Sequence, residues 1–165
     1  MIFMTAPLKI LLVEDKELQG KGFLSQLKEV FPNFIVDWVR DFDASRQALA
    51  QHTYVAIVCD QQFPYKPGWV EGPNMGTDLI RDIRGGKFGD ENKAAIVVHH
   101  SSTMDARLRE LGEQLGVDMS SSKLDFENKA LPFLKEKLAE RSIIVDPAQQ
   151  AKMTAQPPEQ NPQLG

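Results

Sequence analysis

What most constrains this chain is an alternation: five short apolar runs, each followed by a stretch with helical spacing. Leu8 to Val13 has the length of a buried strand. Asp15 to Phe31 then reads as a helix, with Leu24, Leu27 and Phe31 on one face and Pro32 just past its end. Phe34 to Val39 is the second strand, and Asp41 is placed to cap a helix running to about Gln51, with Ala44, Ala48 and Leu49 inward. Tyr54 to Cys59 is the third strand, with Asp60 at its end. Residues 61–75 hold three prolines and two glycines and read as loop. Thr77 to Arg84 is a short helix carrying Leu79, Ile80 and Ile83, and a polar loop from Gly85 to Lys93 leads to a fourth strand, Ala94 to His99. Met104, Leu108, Leu111 and Leu115 then line one helical face. Val117 to Ser121 is a weakly marked fifth strand, and a last helix between Asp125 and Glu140 buries Phe126, Phe133, Leu134 and Leu138.

Five such units in series predict an α/β fold, a doubly wound five-stranded parallel sheet with helices on both faces. Parallel strands need crossovers, and those crossovers are right-handed. In such folds the functional crevice lies beyond the carboxyl ends of the strands. The residues there are Glu14 and Asp15, Asp60 to Gln62, His100 to Ser102, and Ser122 and Lys123.

Composition narrows the function classes. A chain of 165 residues fits one domain with a tail, and its net charge of −4 lacks the basic footprint of a nucleic-acid binder or of a protein held on anionic lipid. One cysteine makes no internal disulfide and suits a reducing compartment. Met1 to Met4 is too short and lacks the basic flank of a signal peptide, and no apolar run reaches membrane-span length. The expectation is a soluble, cytoplasmic protein: an N-terminal extension over 1–7, a domain over 8–141, and a tail over 142–165. That tail is rich in proline and glutamine and reads as disordered or as a linker toward a partner.

The strand-end residues are chemically coherent. Glu14, Asp15 and Asp60 bring three carboxylates toward one place, and a hard divalent cation such as Mg²⁺ relieves their repulsion through oxygen ligands. Lys123 supplies a point charge suited to phosphoryl oxygens, and Ser101 a hydroxyl. A carboxylate beside Mg²⁺ and a lysine is equipped to accept a phosphoryl group as an acyl phosphate.

Over about residues 8–140 the chain resembles the receiver domain of response regulators, which has a flavodoxin-like (βα)5 fold. The matching pieces are Leu11-Leu12-Val13-Glu14-Asp15, Asp60, Phe63-Pro64, Gly76, Ile96-Val97-Val98 leading to Ser101, Gly116, and Lys123, 22 residues after Ser101. The resemblance implies a phosphoprotein of two-component signal transduction, an acceptor rather than an enzyme. Asp60 would accept the phosphoryl group, and Asp15, Asp60 and the Gln62 backbone carbonyl would hold Mg²⁺ beside Glu14. Lys123 would pair with the phosphoryl group, Ser101 would be the switch hydroxyl with the Ser102 amide nearby, and Gln62 and Thr103 would tune dephosphorylation. The implied donor is a histidine kinase or a histidine phosphotransfer protein. The implied output is a downstream protein partner, with homodimerisation left open.

Several positions depart from the family pattern. Leu124 follows Lys123 where a cis proline is usual, so that turn is either trans and rearranged or strained. Ser120 stands at the usual aromatic switch position. Eleven residues, Tyr65 to Met75, separate Pro64 from Gly76, several more than the family norm; Tyr65 and Trp69 there could form a lid or partner contact, or a surface loop with one aromatic tucked beneath it. Pro132 falls inside the last helix, which either starts late, capped by Asn128, or kinks. His99, His100 and Cys59 read as packed core residues, His52 as surface, and Trp38 as packed along the second strand. Two other functions compete: a phosphorylation-independent adaptor, suggested by Ser120, Leu124 and the insertion, and a metal-dependent phosphohydrolase using Glu14, Asp15, Asp60 and His100. Gly85-Gly86 follows a helix, so no glycine-rich nucleotide loop is read.

Overall fold

In a computed structural model of the protein, residues 7–141 are described. Residues 1–6 and 142–165, with the expectations placed on them, lie outside the described residues. The elements follow in the order β1 (Lys9–Val13), α1 (Glu17–Val30), β2 (Ile35–Val39), α2 (Phe42–Gln51), β3 (Ala56–Asp60), β4 (Phe63–Pro64), β5 (Glu71–Gly72), α3 (Met75–Arg84), α4 (Asp90–Lys93), β6 (Ile96–Ser101), α5 (Ala106–Leu115), β7 (Met119–Ser122) and α6 (Leu131–Glu140). Five strands make one parallel sheet in the order β2-β1-β3-β6-β7.

Strand side chains alternate between faces, and the sheet has a core on each side. Ile10, Leu12, Ala56, Val58, Ile96 and Val98 pack against Phe23, Leu27 and Phe31 of α1 and Leu131, Leu134 and Leu138 of α6. Leu11, Val13, Ile57, Cys59 and Val97 carry Phe42 and Leu49 of α2 and Leu79, Ile80 and Ile83 of α3. Helices on both faces bear out the doubly wound fold. The strand order places the topological switch between β1 and β3, where the acidic residues lie.

The local differences from the sequence reading have identifiable causes. The stretch 61–75 is not all loop, because β4 and β5 pair antiparallel, Phe63 opposite Gly72. Asp41 does cap α2, accepting from the Ala44 N–H at 2.8 Å, but Phe42 and Ser45 join Leu49 on its buried face while Ala44 and Ala48 are half-buried. Met104 precedes α5, which starts only after the Asp105 cap, and the polar loop before β6 contains the single turn α4. The final helix forms in three pieces: a 3₁₀ turn over Lys123–Asp125, a π-turn over Phe126–Ala130, and α6. The π-turn places Pro132 in the first turn of α6, where a missing N–H breaks no ladder bond, so Asn128 is not its cap. Phe126, Leu134 and Leu138 are buried as expected, and Phe133 is half-buried. No peptide bond among the described residues is cis, and the 3₁₀ turn accommodates Leu124.

Candidate functional site

The carboxyl ends of β1, β3, β6 and β7 converge on a cleft of about 540 Å³. Its lining includes Gln62, Glu71, Ser101, Ser102, Thr103 and Lys123, with Asp60 at its base. Asp60 ends the buried strand β3 and is 3% exposed. Its Oδ1 accepts from the Gln61 N–H at 2.8 Å, and its Oδ2 lies 3.1 Å from Lys123 Nζ. Lys123 also reaches Glu14 Oε2 at 2.7 Å and donates to Gln19 Oε1 at 2.9 Å. One ammonium thus bridges two buried carboxylates. Burial, and then the Glu14 charge, push Asp60 up to about 7 against the pull of Lys123.

Backbone contacts fix the acid pair. Trp38 Nε1 donates to the Glu14 carbonyl at 2.8 Å, and Arg40 donates to the Asp15 carbonyl at 2.8 Å. The third carboxylate, Asp15, pairs elsewhere than the other two. Its Oδ2 is 3.9 Å from Lys16 Nζ, and its carboxyl shares a hydrogen bond with Glu71. Burial first, and that bond next, raise Asp15 to about 6. Asp15 Oδ1 is buried without a hydrogen-bond partner. The opening of α3 needs a glycine: a Cβ on Gly76 would come 2.1 Å from the Asp60 carbonyl oxygen, and the Gly76 N–H donates to the Gln61 carbonyl at 3.0 Å.

The expected switch residues lie around the same cleft. Ser101 is 8% exposed and its Oγ accepts from the Thr103 N–H at 3.2 Å; Ser102, Thr103 and Gln62 are exposed. Ser120 is half-buried, with a hydroxyl that has no hydrogen-bond partner. Cys59 is fully buried, and burial pushes its thiol well up, as an inert core thiol requires. His99 is hydrogen-bonded, its Nε2 2.7 Å from Gln61 Oε1, while Gln61 Nε2 donates to the Pro73 carbonyl at 3.0 Å and to Thr77 Oγ1 at 3.3 Å. His100 is packed against Phe23 and Phe126, yet neither ring nitrogen has a hydrogen-bond partner.

One site residue was not legible in the sequence, and the contacts of a second were not. Glu71, on the hairpin, pairs with Lys16 and brings a further carboxylate to Asp15. A lone glutamate in an irregular stretch carries no spacing signal. Gln61 stands beside Asp60 in sequence, but its ties to Pro73, Thr77 and His99 exist only once β3, α3 and β6 are packed.

No family model matches the chain, and no curated protein matches its sequence. Its similarity is structural. A CheY-like response-regulator receiver domain from Methanospirillum hungatei superposes with a TM-score of 0.66 at 14% identity, over 83% of this chain and 98% of that one. The receiver domain of the sensor histidine kinase PA1611 from Pseudomonas aeruginosa, which holds a magnesium ion in its active-site cleft, has a TM-score of 0.62 at 20% identity, over 79% and 97%. The chemotaxis response regulator CheY4 of Vibrio cholerae has a TM-score of 0.61 at 14% identity, over 81% and 99%. The fold is that of response-regulator receiver domains.

Proposed function

We propose that this receiver fold works as a phosphoacceptor module of a two-component phosphorelay, with Asp60 as the acceptor. The observation that carries the reading is the Lys123 ammonium held 2.7 Å from Glu14 and 3.1 Å from Asp60 at the switch point of the sheet. An Asp60 oxygen attacks the phosphorus of a phosphohistidine, the P–N bond breaks, and the proton needed by the departing imidazole comes from the donor side or solvent. Lys123 then pairs with the new phosphoryl oxygens, and Ser101 with the Ser102 N–H offers further donors from the same cleft. Gln62 and Thr103, exposed on the cleft, bear on the approach of the hydrolytic water.

The donor set suits Mg²⁺: Asp60 and Glu71 line a cleft open to water, and Asp15, which shares a hydrogen bond with Glu71, keeps a buried oxygen without a hydrogen-bond partner. Asp15 and Asp60, with the Gln62 carbonyl and with Glu14 behind, would hold it. When bound, Mg²⁺ neutralises charge building on the phosphoryl oxygens. The donor in this reading is a histidine kinase or histidine phosphotransfer protein, and the output is a protein contact. Among the described residues no helix is long and apolar enough to cross a membrane.

The test is intact-mass spectrometry after incubation with Mg²⁺ and acetyl phosphate, beside Asp60→Ala. Gain of one phosphoryl group in the parent and none in the variant is the expected outcome. No gain by a folded parent would reject the reading in favour of a phosphorylation-independent adaptor.

A further inference from the structure

The sheet face beneath α1 and α6 is apolar until its last row. There Glu14, Asp60 and His100 stand side by side, with one donor atom of each within 4.8 Å of the other two. Asp60 and His100 are direct partners in the register of β3 with β6. The three residues are 0%, 3% and 0% exposed. His100 is the anomaly of this row. Its ring lies 5.0 Å from that of Phe23 and 5.8 Å from that of Phe126, and both of its nitrogens lack a hydrogen-bond partner. An unpaired buried polar group costs stability that another valine, following Val97 and Val98, would not. The nitrogen Nε2 lies 3.8 Å from Glu14 Oε2, the oxygen that Lys123 Nζ reaches at 2.7 Å.

Charge and donor type point the same way. Lys123 bridges Glu14 and Asp60, so a cation already stands between these carboxylates, yet when both are ionised one negative charge remains unbalanced. A divalent ion in place of the ammonium would balance both carboxylates. Lys123 has a second partner farther out, Gln19 Oε1 at 2.9 Å, to which its ammonium would withdraw. Two carboxylates and an imidazole suit first-row transition ions, whereas Mg²⁺ gains little from a nitrogen ligand.

We infer that Glu14, Asp60 and His100 form a binding site for a divalent transition ion of the cobalt or zinc class, with His100 Nε2 as its nitrogen ligand. The inference shares Asp60 and Glu14 with the phosphoacceptor reading but does not rest on phosphoryl transfer.

The test titrates the full chain with Co²⁺, followed by visible absorption, in parent and His100→Val proteins whose folding is checked by circular dichroism. Parallel Mg²⁺ titrations follow tryptophan fluorescence, since Trp38 donates to the Glu14 carbonyl. Co²⁺ affinity should fall at least tenfold in His100→Val and the absorption bands should change, while Mg²⁺ affinity stays within about twofold. Equal Co²⁺ affinity and spectra in the two proteins would overturn the inference. A measurement that needs no variant is the ring ¹⁵N spectrum of the three histidines during Zn²⁺ addition. A large shift at His100 supports the site, and a shift only at exposed His52, or none, rejects it. Failure of acetyl phosphate to label Asp60 would remove the phosphoacceptor reading and leave these outcomes unaffected.

Discussion

Asp60 is held between two demands. Placing it at the end of a strand with both faces covered takes it out of water, while Lys123 and the Gln61 N–H favour its charged form. Burial wins, and its pKa rises from 3.8 to about 7. The consequence for stability has a definite sign. Between those values the folded protein keeps a proton that the unfolded chain has lost, so stability falls as pH rises through 7. In EDTA, urea unfolding should show the parent losing stability from pH 5 to pH 8, with a slope approaching ~1.4 kcal/mol per pH unit where a whole proton differs. Asp60→Asn should flatten that slope, leaving the part due to Asp15, which is raised in the same direction. An unchanged slope in the variant would show that Asp60 is not the titrating group.

At the scale of elements, the hairpin of β4 and β5 frames the long connection between β3 and α3. Tyr65 stacks on Phe42 with ring centres 5.4 Å apart and an interplanar angle of 17°, and Trp69 lies 5.9 Å from Tyr65. Arg46 sits over both Phe42 and Tyr65, and the Asp43 N–H donates to the Tyr65 carbonyl at 3.0 Å. One aromatic is therefore tucked against α2 while Trp69 stays 60% exposed. The hairpin carries Glu71 to the cleft, so its anchoring reaches the site. Tyr65→Ala removes a stacked pair worth roughly 0.5–1.5 kcal/mol beyond its buried area. Amide exchange over residues 63–72 should quicken about tenfold, while β1, β3 and β6 keep their protection. Equal protection of the hairpin in parent and variant would show that Tyr65 does not anchor it.

For the whole molecule, the sheet gathers like charges at one end, and folding pays for that crowding. An ion bound only by the folded state stabilises by mass action, by about 2.7 kcal/mol when free Mg²⁺ is a hundredfold above its dissociation constant. Thermal unfolding should therefore shift upward with Mg²⁺ at pH 8 and return with EDTA. At pH 5.5 the shift should be smaller, because protons compete for Asp15 and Asp60. A melting temperature indifferent to Mg²⁺ at both pH values would argue against a cation between these carboxylates.

The sequence by itself determined the five β–α units, the Asp41 cap, and the strand-end positions of Glu14, Asp15, Asp60, Ser101 and Lys123. Each follows from local chemistry: apolar runs, Asp41 before its helix, and polar residues where a strand emerges. Only the tertiary structure decided who meets whom. That Lys123 bridges Glu14 and Asp60, that Asp15 turns to Lys16 and Glu71, and that His100 faces two carboxylates with both nitrogens unpaired depends on the order β2-β1-β3-β6-β7. Strand order joins residues dozens of positions apart, and their spacing along the chain carries no trace of it. The hairpin and the π-turn before Pro132 were equally hidden, since each is set by packing against α2, α1 and the sheet rather than by local preference.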